Sequence, residues 1–145
     1  MSYLIREANQ HDKEQILKLY KKQLGREFCP WNEHYPTMHE IDFDLSRSSL
    51  FIMIDGERII AAASIDDDEQ VEALECWHDD LKPGAEMSRL AVDPDYQNQG
   101  LARKMLLYGM DEMRKRGYKS IHFMVNKHNK KALNSYRHLN FDVVG

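Results

Sequence analysis

The sequence predicts an α+β fold in which one mixed β-sheet is antiparallel in its first half and parallel around a central loop. Two strands, residues 50–55 and 58–65, flank an Asp-Gly pair that favours a tight hairpin turn. A third stretch of strand character, residues 86–92, leads through an amide-rich loop into a helix over residues 103–115. Because strand–helix–strand connections cross over right-handed, the two strands that flank this helix are expected to be parallel neighbours.

The N-terminal part of the chain predicts one strand and two helices. Residues 3–7 alternate as a first strand, and residues 9–12 offer N-caps for the first helix, which Gly25 is suited to end. Thr37 is a suitable N-cap for a second, shorter helix. Apolar residues at helical spacing are Ile16, Leu19, Tyr20 and Leu24 in the first helix, and Ile41, Phe43 and Leu45 in the second.

Two segments between these elements each leave two interpretations open. Residues 28–36 hold two prolines and three aromatic residues, which either cover the core or form one wall of a ligand site. Residues 66–83 hold eight acidic residues against the single Lys82. This acidic segment is either a solvated loop or, together with Trp77, an attraction for a cationic, amine-bearing substrate. Its spacing does not resemble a calcium-binding loop.

The last third of the chain is the most regular. Residues 119–125 are expected to form a fifth strand, residues 129–139 a helix, and residues 141–145 the start of a sixth strand. Gly117 follows three basic residues and is suited to end the central helix. The inner face of the last helix is predicted to carry Ala132, Leu133, Tyr136 and either Leu139 or Asn140.

Composition excludes several classes of function. With 145 residues the chain is expected to form a single domain over residues 1–145, and its formal net charge of −4 argues against a general nucleic-acid binder. No apolar run approaches the roughly 20 residues of a membrane span, and the N-terminus lacks a signal-peptide pattern. Cys29 and Cys76 stand far apart without metal-ligand spacing, which is typical of reduced thiols in a cytoplasmic protein.

The loop Gln97-Asn98-Gln99-Gly100-Leu101-Ala102 is a candidate anion site. It opens a helix whose first backbone N–H groups lack partners within the helix, at the positive end of the helix dipole. A nucleotide-triphosphate loop requires Gly-Lys-Ser/Thr, whereas Gly100 is followed by Leu-Ala-Arg. A dinucleotide site requires three spaced glycines near the first strand, and this loop has one, two-thirds along the chain. Both alternatives therefore fail.

The remaining pattern resembles the GCN5-related N-acetyltransferase (GNAT) superfamily. Its acetyl-CoA signature, Gln/Arg-x-x-Gly-x-Gly/Ala, matches residues 97–102, with Ala102 in place of the second glycine. The approach sequence Leu-Ala-Val-Asp-Pro-Asp-Tyr at residues 90–96 is also similar to the family. A second family block matches Asn129, Ala132, Leu133, Tyr136, Leu139, Asn140 and Phe141.

The resemblance implies an acetyl-CoA site and a fold of the α/β/α GNAT type. The amides of the 97–102 loop are expected to bind the pyrophosphate, with assistance from Arg103. The fourth strand is expected to splay from the fifth at a bulge, so that its main chain bonds the pantetheine and one amide polarises the thioester carbonyl. The implied cofactor contacts are Leu90, Ala91, Val92, Gln97, Asn98, Gln99, Gly100, Leu101, Ala102, Arg103, Asn129 and Tyr136; no metal is implied.

The resemblance also implies two catalytic residues. Tyr136 is expected near the sulfur, where its hydroxyl protonates the departing thiolate. An alkylamine with a pKa near 10.4 must lose a proton before it attacks, and Glu86 matches the position of a catalytic glutamate in some family members. Glu86 is equally well explained as a strand-end charge that faces solvent. His122, His34 and Glu33 are lesser candidates for the base.

The resemblance predicts an N-acetyltransferase that acts on the amine of a small molecule or a protein. The rival hypothesis is a non-catalytic acyl-CoA-binding module of the same fold. The chain ends where the family usually continues with a further strand, so we expect an incomplete chain, a strand supplied by a partner, or an open sheet edge. An open edge favours pairing into a homodimer.

Overall fold

The computed structural model describes residues 3–26, 29, 31–67 and 84–122. Within these residues one five-stranded sheet has the order β1-β2-β3-β4-β5, with helices packed on both faces. The strands are β1 (Leu4–Glu7), β2 (Leu50–Asp55), β3 (Arg58–Asp66), β4 (Gly84–Val92) and β5 (Ser120–His122). The α-helices are α1 (Lys13–Lys21), α2 (Met38–Ser46) and α3 (Leu101–Lys115), and short 3₁₀ turns precede α1 at Gln10–Asp12 and α3 at Pro94–Tyr96.

The sheet is mixed, as the sequence predicts. Strands β1 to β4 pair antiparallel in chain order, and β5 pairs parallel with β4. The parallel pairing joins Gly84–Glu86 to Ser120–His122 across the α3 connection. The expected parallel pair on either side of the central helix is therefore confirmed.

Two hydrophobic cores lie on opposite faces of the sheet. The first core, beneath α3, contains Met105, Leu106 and Met113 of the helix against alternate residues of β2, β3 and β4. The second core lies beneath α1 and α2 and includes Ile16, Leu19 and Ile41. Because alternate residues of a strand face opposite sides, the two cores use interleaved sets of the same strands. The central strand β3 is buried over nearly its whole length, from Ile59 to Ile65.

Several element boundaries differ from the sequence-based expectation. Helix α1 ends at Lys21, before the predicted stop at Gly25, and the intervening residues form hydrogen-bonded turns. Helix α3 begins at Leu101 rather than at residue 103, because Gly100 in a left-handed conformation serves as its N-cap. The expected N-cap of α2 is confirmed, because Thr37 forms a capping box. Asn9 also forms a capping box, but it caps the 3₁₀ turn before α1, and the N-cap of α1 itself, Asp12, makes no side-chain capping bond.

Helix α2 differs from expectation in the face it buries. Its fully buried residues are Ile41 and Asp44, and Leu45 is only partly buried against the second core. The ring of Phe43, grouped by its spacing with Ile41 and Leu45, is instead 55% exposed. A polar residue thus occupies a central position of the α2 interface, and the site below explains why.

Some predicted elements fall outside the described residues. These are most of the acidic segment, the end of the fifth strand, the last helix and the sixth strand, together with the expected splay between β4 and β5. No helix in the described ranges is both long and apolar enough to span a membrane.

Gly109 allows α3 to pack closely on the sheet, which generates a test of the fold. A Cβ atom at this position would overlap Cδ1 of the buried Ile65. We expect Gly109→Ala to destabilise the protein by about 1–2 kcal/mol, because overpacking outweighs a gain in helix propensity of at most about 1 kcal/mol. In an Ile65→Val background, which lacks Cδ1, the same change should be neutral or stabilising. Urea unfolding measures both; an equal effect in both backgrounds would contradict the packing contact.

Candidate active site

The loop that precedes α3 has the geometry of an anion site. Asn98 and Gly100 adopt left-handed φ values of 62° and 72°. The first helical bond runs from the Lys104 N–H to the Gly100 carbonyl at 3.1 Å, and no side chain caps the helix. The N–H groups of residues 101–103 therefore cannot be satisfied within the helix and lie at its positive end.

The predicted cofactor contacts of this loop differ in exposure. Asn98, Gln99, Gly100 and Arg103 are exposed, Gln97 and Ala102 are partly exposed, and Leu101 is buried. The Tyr3 hydroxyl donates to Gln99 Oε1 at 3.0 Å. Lys104 Nζ lies 5.9 Å from the centre of the Tyr3 ring. Because Tyr3 bonds Gln99 of the loop, Lys104 adds a second cation beside the loop, next to Arg103 in the sequence. Sequence reasoning missed Tyr3 and Lys104, although Lys104 is adjacent in sequence to a predicted contact.

The buried carboxylate of Asp93 fixes the segment that leads into the loop of residues 97–102. Asp93 is 1% exposed and accepts hydrogen bonds from Lys22 Nζ at 2.9 Å, Arg58 Nη2 at 2.7 Å and the Asp95 N–H at 2.9 Å. Burial alone would raise the pKa of Asp93, but these bonds outweigh burial and lower it below its usual range. The contact joins the end of α1, the β2–β3 hairpin and the 3₁₀ turn, so the loop is fixed at its start. The Tyr96 hydroxyl adds a 2.6 Å bond to Asp55.

Strand β4 carries a β-bulge before it reaches the loop. Ser64 of β3 pairs with Ser88 of β4, whereas Ala62 pairs with Ala91. Strand β4 therefore has one extra residue within residues 89–90. This bulge was expected from the family resemblance.

The carbonyl of Val92, at the end of β4, already has two donors. Gln23 Nε2 donates to it at 3.0 Å and Arg26 Nη1 at 3.3 Å. The Gln23 amide also donates to the Leu19 carbonyl at 3.1 Å, so this side chain ties α1 to the end of β4. The Val92 carbonyl is therefore already hydrogen-bonded within the protein, although the family resemblance implies that the main chain of residues 90–92 bonds the pantetheine.

A cleft of about 680 Å³ opens on the sheet face that carries α1 and α2. Its lining comes from α2, β3, β4 and the loop before α2: Tyr35, Phe43, Asp44, Arg47, Ser64, Asp66, Asp67, Glu86, Ser88 and Arg89. Four of these residues are carboxylates and two are guanidinium groups, so the cleft has an excess of negative charge.

The aromatic residues of segment 28–36 do not all have the same role: one covers the core and another lines the cleft. Trp31 packs edge-on against the buried Tyr20 with ring centroids 5.4 Å apart, and it therefore covers the core. Tyr35 is 41% exposed and lines the cleft beside the exposed Phe43. Phe28 lies outside the described residues.

Asp44 is the polar centre of the cleft floor. It is 1% exposed and accepts bonds from Arg89 Nε at 3.1 Å and Nη2 at 2.5 Å, as well as from the Ser64 hydroxyl. Arg89 Nη1 donates further to the Tyr35 hydroxyl at 3.0 Å. Burial alone would lower the pKa of Arg89, but the bonds to Asp44 and Tyr35 more than offset burial and raise it. This pair explains why α2 buries an aspartate.

A second ion pair lies at the edge of the cleft. Arg47 donates to Asp66 from Nε at 2.8 Å and to Asp67 from Nη2 at 2.8 Å. Burial opposes ionisation of Asp66, yet the bonds from Arg47 lower its pKa; the neighbouring Asp66 carboxyl in turn raises the pKa of Asp67. These two aspartates begin the acidic segment, so that segment does contribute charge to the cleft.

The candidate bases lie in different surroundings. In the register of the sheet, Glu86 lies opposite Asp66 of β3 and opposite His122 of β5. Its side chain lines the cleft. His122 is 7% exposed and shares the sheet face of Glu86, because register partners on neighbouring strands point the same way. His34 and Glu33 are exposed in the turn between Asn32 and Tyr35 and do not line the cleft. Asn129 and Tyr136 lie outside the described residues.

Asp44 and Arg89 are two of the cleft residues that sequence reasoning missed, and the bulge that holds Arg89 left a signal in the sequence. The apolar residues of β4 on the α3 face are Ala85, Met87, Leu90 and Val92. These residues are separated by two, three and two positions, whereas residues on one face of a regular strand are separated by two. The interval of three between residues 87 and 90 therefore indicates the extra residue of the bulge. Nothing local distinguishes Asp44 from an exposed helical aspartate. Among the described residues no group of three or more His, Cys, Asp or Glu side chains is placed to hold a metal ion.

Comparison with known sequences shows that this chain matches the profile of one protein family. The profile of the acetyltransferase (GNAT) family matches residues 13–141. The [ribosomal protein bS18]-alanine N-acetyltransferase of Escherichia coli strain K12 is 41% identical over 58 residues, which are 40% of this chain. The match covers 39% of the length of that relative.

Comparison with solved structures agrees with the observed architecture. The ribosomal-protein-S18-alanine N-acetyltransferase of Escherichia coli has a TM-score of 0.71 at 22% identity, over 97% of this chain and 78% of that one. An aminoglycoside N-acetyltransferase in complex with CoA has a TM-score of 0.78 at 18% identity, over 99% and 90% of the two chains. At these identities the likeness establishes the fold, and the α/β/α GNAT fold is thereby confirmed.

The buried Asp93 generates a prediction about pH. Its folded-state pKa is lowered from an unfolded value near 3.9, so its stabilisation is complete above about pH 3.9 and is lost as the pH falls through the folded pKa. Asp93→Asn should lower the free energy of unfolding by about 1–3 kcal/mol at neutral pH. Urea unfolding at several pH values should show this difference shrinking below about pH 3.9. Asp95→Asn, at an exposed carboxylate of the same loop, is the control and should cost less than about 1 kcal/mol; a constant difference for Asp93→Asn would contradict the ion-pair role.

Proposed function

Because the chain belongs to the acetyltransferase (GNAT) family, we propose that it transfers an acetyl group from acetyl-CoA to a primary amine of a small molecule or protein. The observation that carries the proposal is the course of β4. This strand passes a carboxylate-rich cleft at Glu86, bulges at Arg89, and leads through the 3₁₀ turn Pro94–Tyr96 into the loop of residues 97–102, here called the anion loop. One strand thus connects a site suited to an amine with a site suited to a pyrophosphate.

The donor is proposed to bind along the loop and the end of β4. The N–H groups of residues 97–102 contact the pyrophosphate, and Arg103 and Lys104 add positive charge beside it. The main chain of Leu90, Ala91 and Val92 bonds the pantetheine arm, and Asn129 contacts the same arm. Since Val92 already accepts bonds from Gln23 and Arg26, its N–H rather than its carbonyl is the group proposed for the cofactor.

The reaction is a direct attack. Glu86 first takes a proton from the ammonium group of the acceptor. The neutral amine nitrogen then forms a bond to the thioester carbonyl carbon, and the carbonyl electrons move to oxygen to give a tetrahedral oxyanion. A backbone N–H of β4 stabilises that charge. The carbon–sulfur bond then breaks, the thiolate takes a proton from the Tyr136 hydroxyl, and the second proton on the attacking nitrogen returns to the Tyr136 oxygen. The products are an amide and free CoA.

The cleft is proposed to hold the acceptor. Its excess of carboxylates attracts an ammonium group, and the exposed rings of Tyr35 and Phe43 offer π-faces for the same cation. Glu86 is favoured over His34 and Glu33 as the base because it lines the cleft, whereas they do not. The bacterial relative acts, by its name, on an alanine of a ribosomal protein, which makes a protein N-terminus one acceptor to test.

Two measurements test the proposal. Isothermal titration calorimetry with acetyl-CoA measures binding of the donor. Release of free thiol then measures turnover on peptides with N-terminal alanine, on a lysine-containing peptide and on small amines such as glucosamine and spermidine. Binding and turnover on at least one amine are expected. Binding without turnover on any amine would instead support the acyl-CoA-binding module, and no binding would overturn both.

Gly100 provides a sharper test of the donor site. Gly100 and Gly117 both have positive φ, 72° and 96°, and a Cβ at either would meet nothing within 4 Å. Alanine introduces similar backbone strain at both, but only at Gly100 would its methyl group obstruct an anion. We expect Gly100→Ala to raise the Kd for CoA about tenfold, and Gly117→Ala to leave it unchanged. Equal effects of the two substitutions would contradict the proposed site.

The proposed acid and base generate a prediction about kinetics. Glu86→Gln and Tyr136→Phe should each lower kcat about 100-fold, a typical contribution of general acid–base catalysis, with the Kd for acetyl-CoA within about threefold. The pH dependence of kcat/KM should also lose the limb that requires a deprotonated carboxylate in Glu86→Gln. Asp67→Asn removes the same charge from the cleft and should raise the acceptor KM instead. Equal losses of kcat and cofactor affinity would exclude the assigned roles.

A further inference from the structure

Arg89 occupies a position at which a glycine is ordinarily found. Its φ is +45°, within the left-handed region that a side chain with a Cβ rarely adopts. The residue lies in the β4 bulge, opposite Ala63 of β3. In one common type of bulge the first extra residue is a left-handed glycine, because only glycine adopts this conformation without strain. An arginine here therefore requires an interaction that holds it.

That interaction is the ion pair with Asp44. Two nitrogens of the Arg89 guanidinium bond the two carboxylate oxygens of Asp44, whose side chain is 2% exposed. Asp44 is fixed in turn by α2 and by the hydroxyl of Ser64 on β3. The planar fork of arginine matches a carboxylate in a single geometry, so the pair fixes a direction as well as a distance.

The bulge decides which way β4 presents its residues. In a strand without the extra residue, Arg89 would follow Ala85 and Met87 onto the apolar α3 face. With the extra residue, Arg89 lines the cleft together with Glu86 and Ser88, while Leu90 and Val92 pack against the α3 core. The orientation of every main-chain group from residue 90 onward therefore depends on the bulge.

We propose that Arg89 is a positioning residue, whose ion pair with Asp44 holds the β4 bulge in the conformation that presents the Leu90–Val92 main chain to the acyl-CoA thioester. This inference rests on the proposed acetyl transfer. Arg89 acts through the backbone: its guanidinium is already bonded to Asp44 and Tyr35 and takes no part in proton transfer. It contributes to the transition state by fixing the amide that faces the oxyanion.

The experiment compares Arg89→Gly, Arg89→Lys and Asp44→Asn with the unaltered protein. Glycine accepts the left-handed φ but removes the ion pair, and lysine keeps the charge but not the two-point contact. The matched control is Arg6→Ala, on β1 and away from the cleft, which breaks a similar two-point pair with the buried Asp12 of the 3₁₀ turn before α1. Circular dichroism and urea unfolding verify that each variant is folded. Turnover is measured by thiol release, on whichever amine of the panel the unaltered protein uses best.

The expected result is a loss of kcat that exceeds any loss of cofactor affinity. Arg89→Gly should lower kcat at least 30-fold, with the acceptor KM within threefold and the Kd for acetyl-CoA raised less than tenfold, because the same main chain is proposed to bond the pantetheine arm. Arg89→Lys should lie between Arg89→Gly and the unaltered protein. Asp44→Asn should act in the same direction, and the double variant Asp44→Asn/Arg89→Gly should be no worse than the poorer single variant. Arg6→Ala should lose stability without loss of kcat.

Three results would overturn the inference while leaving the acetyl transfer intact. The first is an unchanged kcat in Arg89→Gly. The second is a rise in acceptor KM alone in Arg89→Gly, which would indicate that Arg89 contacts the acceptor directly. The third is a loss of kcat in Arg6→Ala equal to that in Arg89→Gly. Absence of turnover in the unaltered protein would instead remove the proposed function and this inference with it. Amide hydrogen exchange of residues 90–92 without ligand provides a readout independent of turnover: faster exchange in Arg89→Gly than in the unaltered protein is expected, and equal exchange would show that the bulge forms without Arg89.

Discussion

Asp44 lies buried between α2 and the sheet, and its bonds to Arg89 and Ser64 join α2, β3 and β4 where β4 departs from regular pairing. A buried carboxylate that loses its partner typically costs about 3–5 kcal/mol, whereas an L-residue in a left-handed conformation costs roughly 1–2 kcal/mol. Because losing the ion pair would cost more than the backbone strain does, Arg89 stays in its left-handed conformation. This contact forms the cleft floor, and it is the interaction that we propose to hold the β4 bulge.

A second buried carboxylate has a similar role at the other end of the same stretch. Asp93 joins the end of α1 to the β2–β3 hairpin through Lys22 and Arg58, and it also fixes the turn that leads to the anion loop. Residues 89–93 are thus held at both ends by ion pairs to distant segments. Such fixation agrees with the general requirement that dipoles which stabilise a transition state be oriented before reaction.

The division of the sheet into two faces separates the two proposed substrates. On the α3 face β4 contributes apolar residues, and the helix presents its N-terminus to the anion loop. On the opposite face Glu86 and Ser88 of the same strand line an acidic cleft, together with Phe43 of α2 and Arg47, the residue that follows α2. Strand alternation alone places these neighbouring residues on opposite sides. The bulge changes that alternation once, between the proposed acceptor cleft and the proposed donor site.

Local patterns in the sequence were sufficient for the β2–β3 hairpin, the Thr37 cap of α2 and the helix that follows the 97–102 loop, because each depends on residues close in the chain. The parallel β4–β5 pair follows from the handedness of the crossover. The 87–90 spacing even encoded the bulge. Tertiary structure alone decided that Asp44 is buried and that Phe43 is exposed at the cleft, since the partner of Asp44 lies 45 positions away in the chain. The same holds for the occupied Val92 carbonyl and for which candidate bases line the cleft. A buried charge is stable only with a specific distant partner, and no local periodicity specifies that partner.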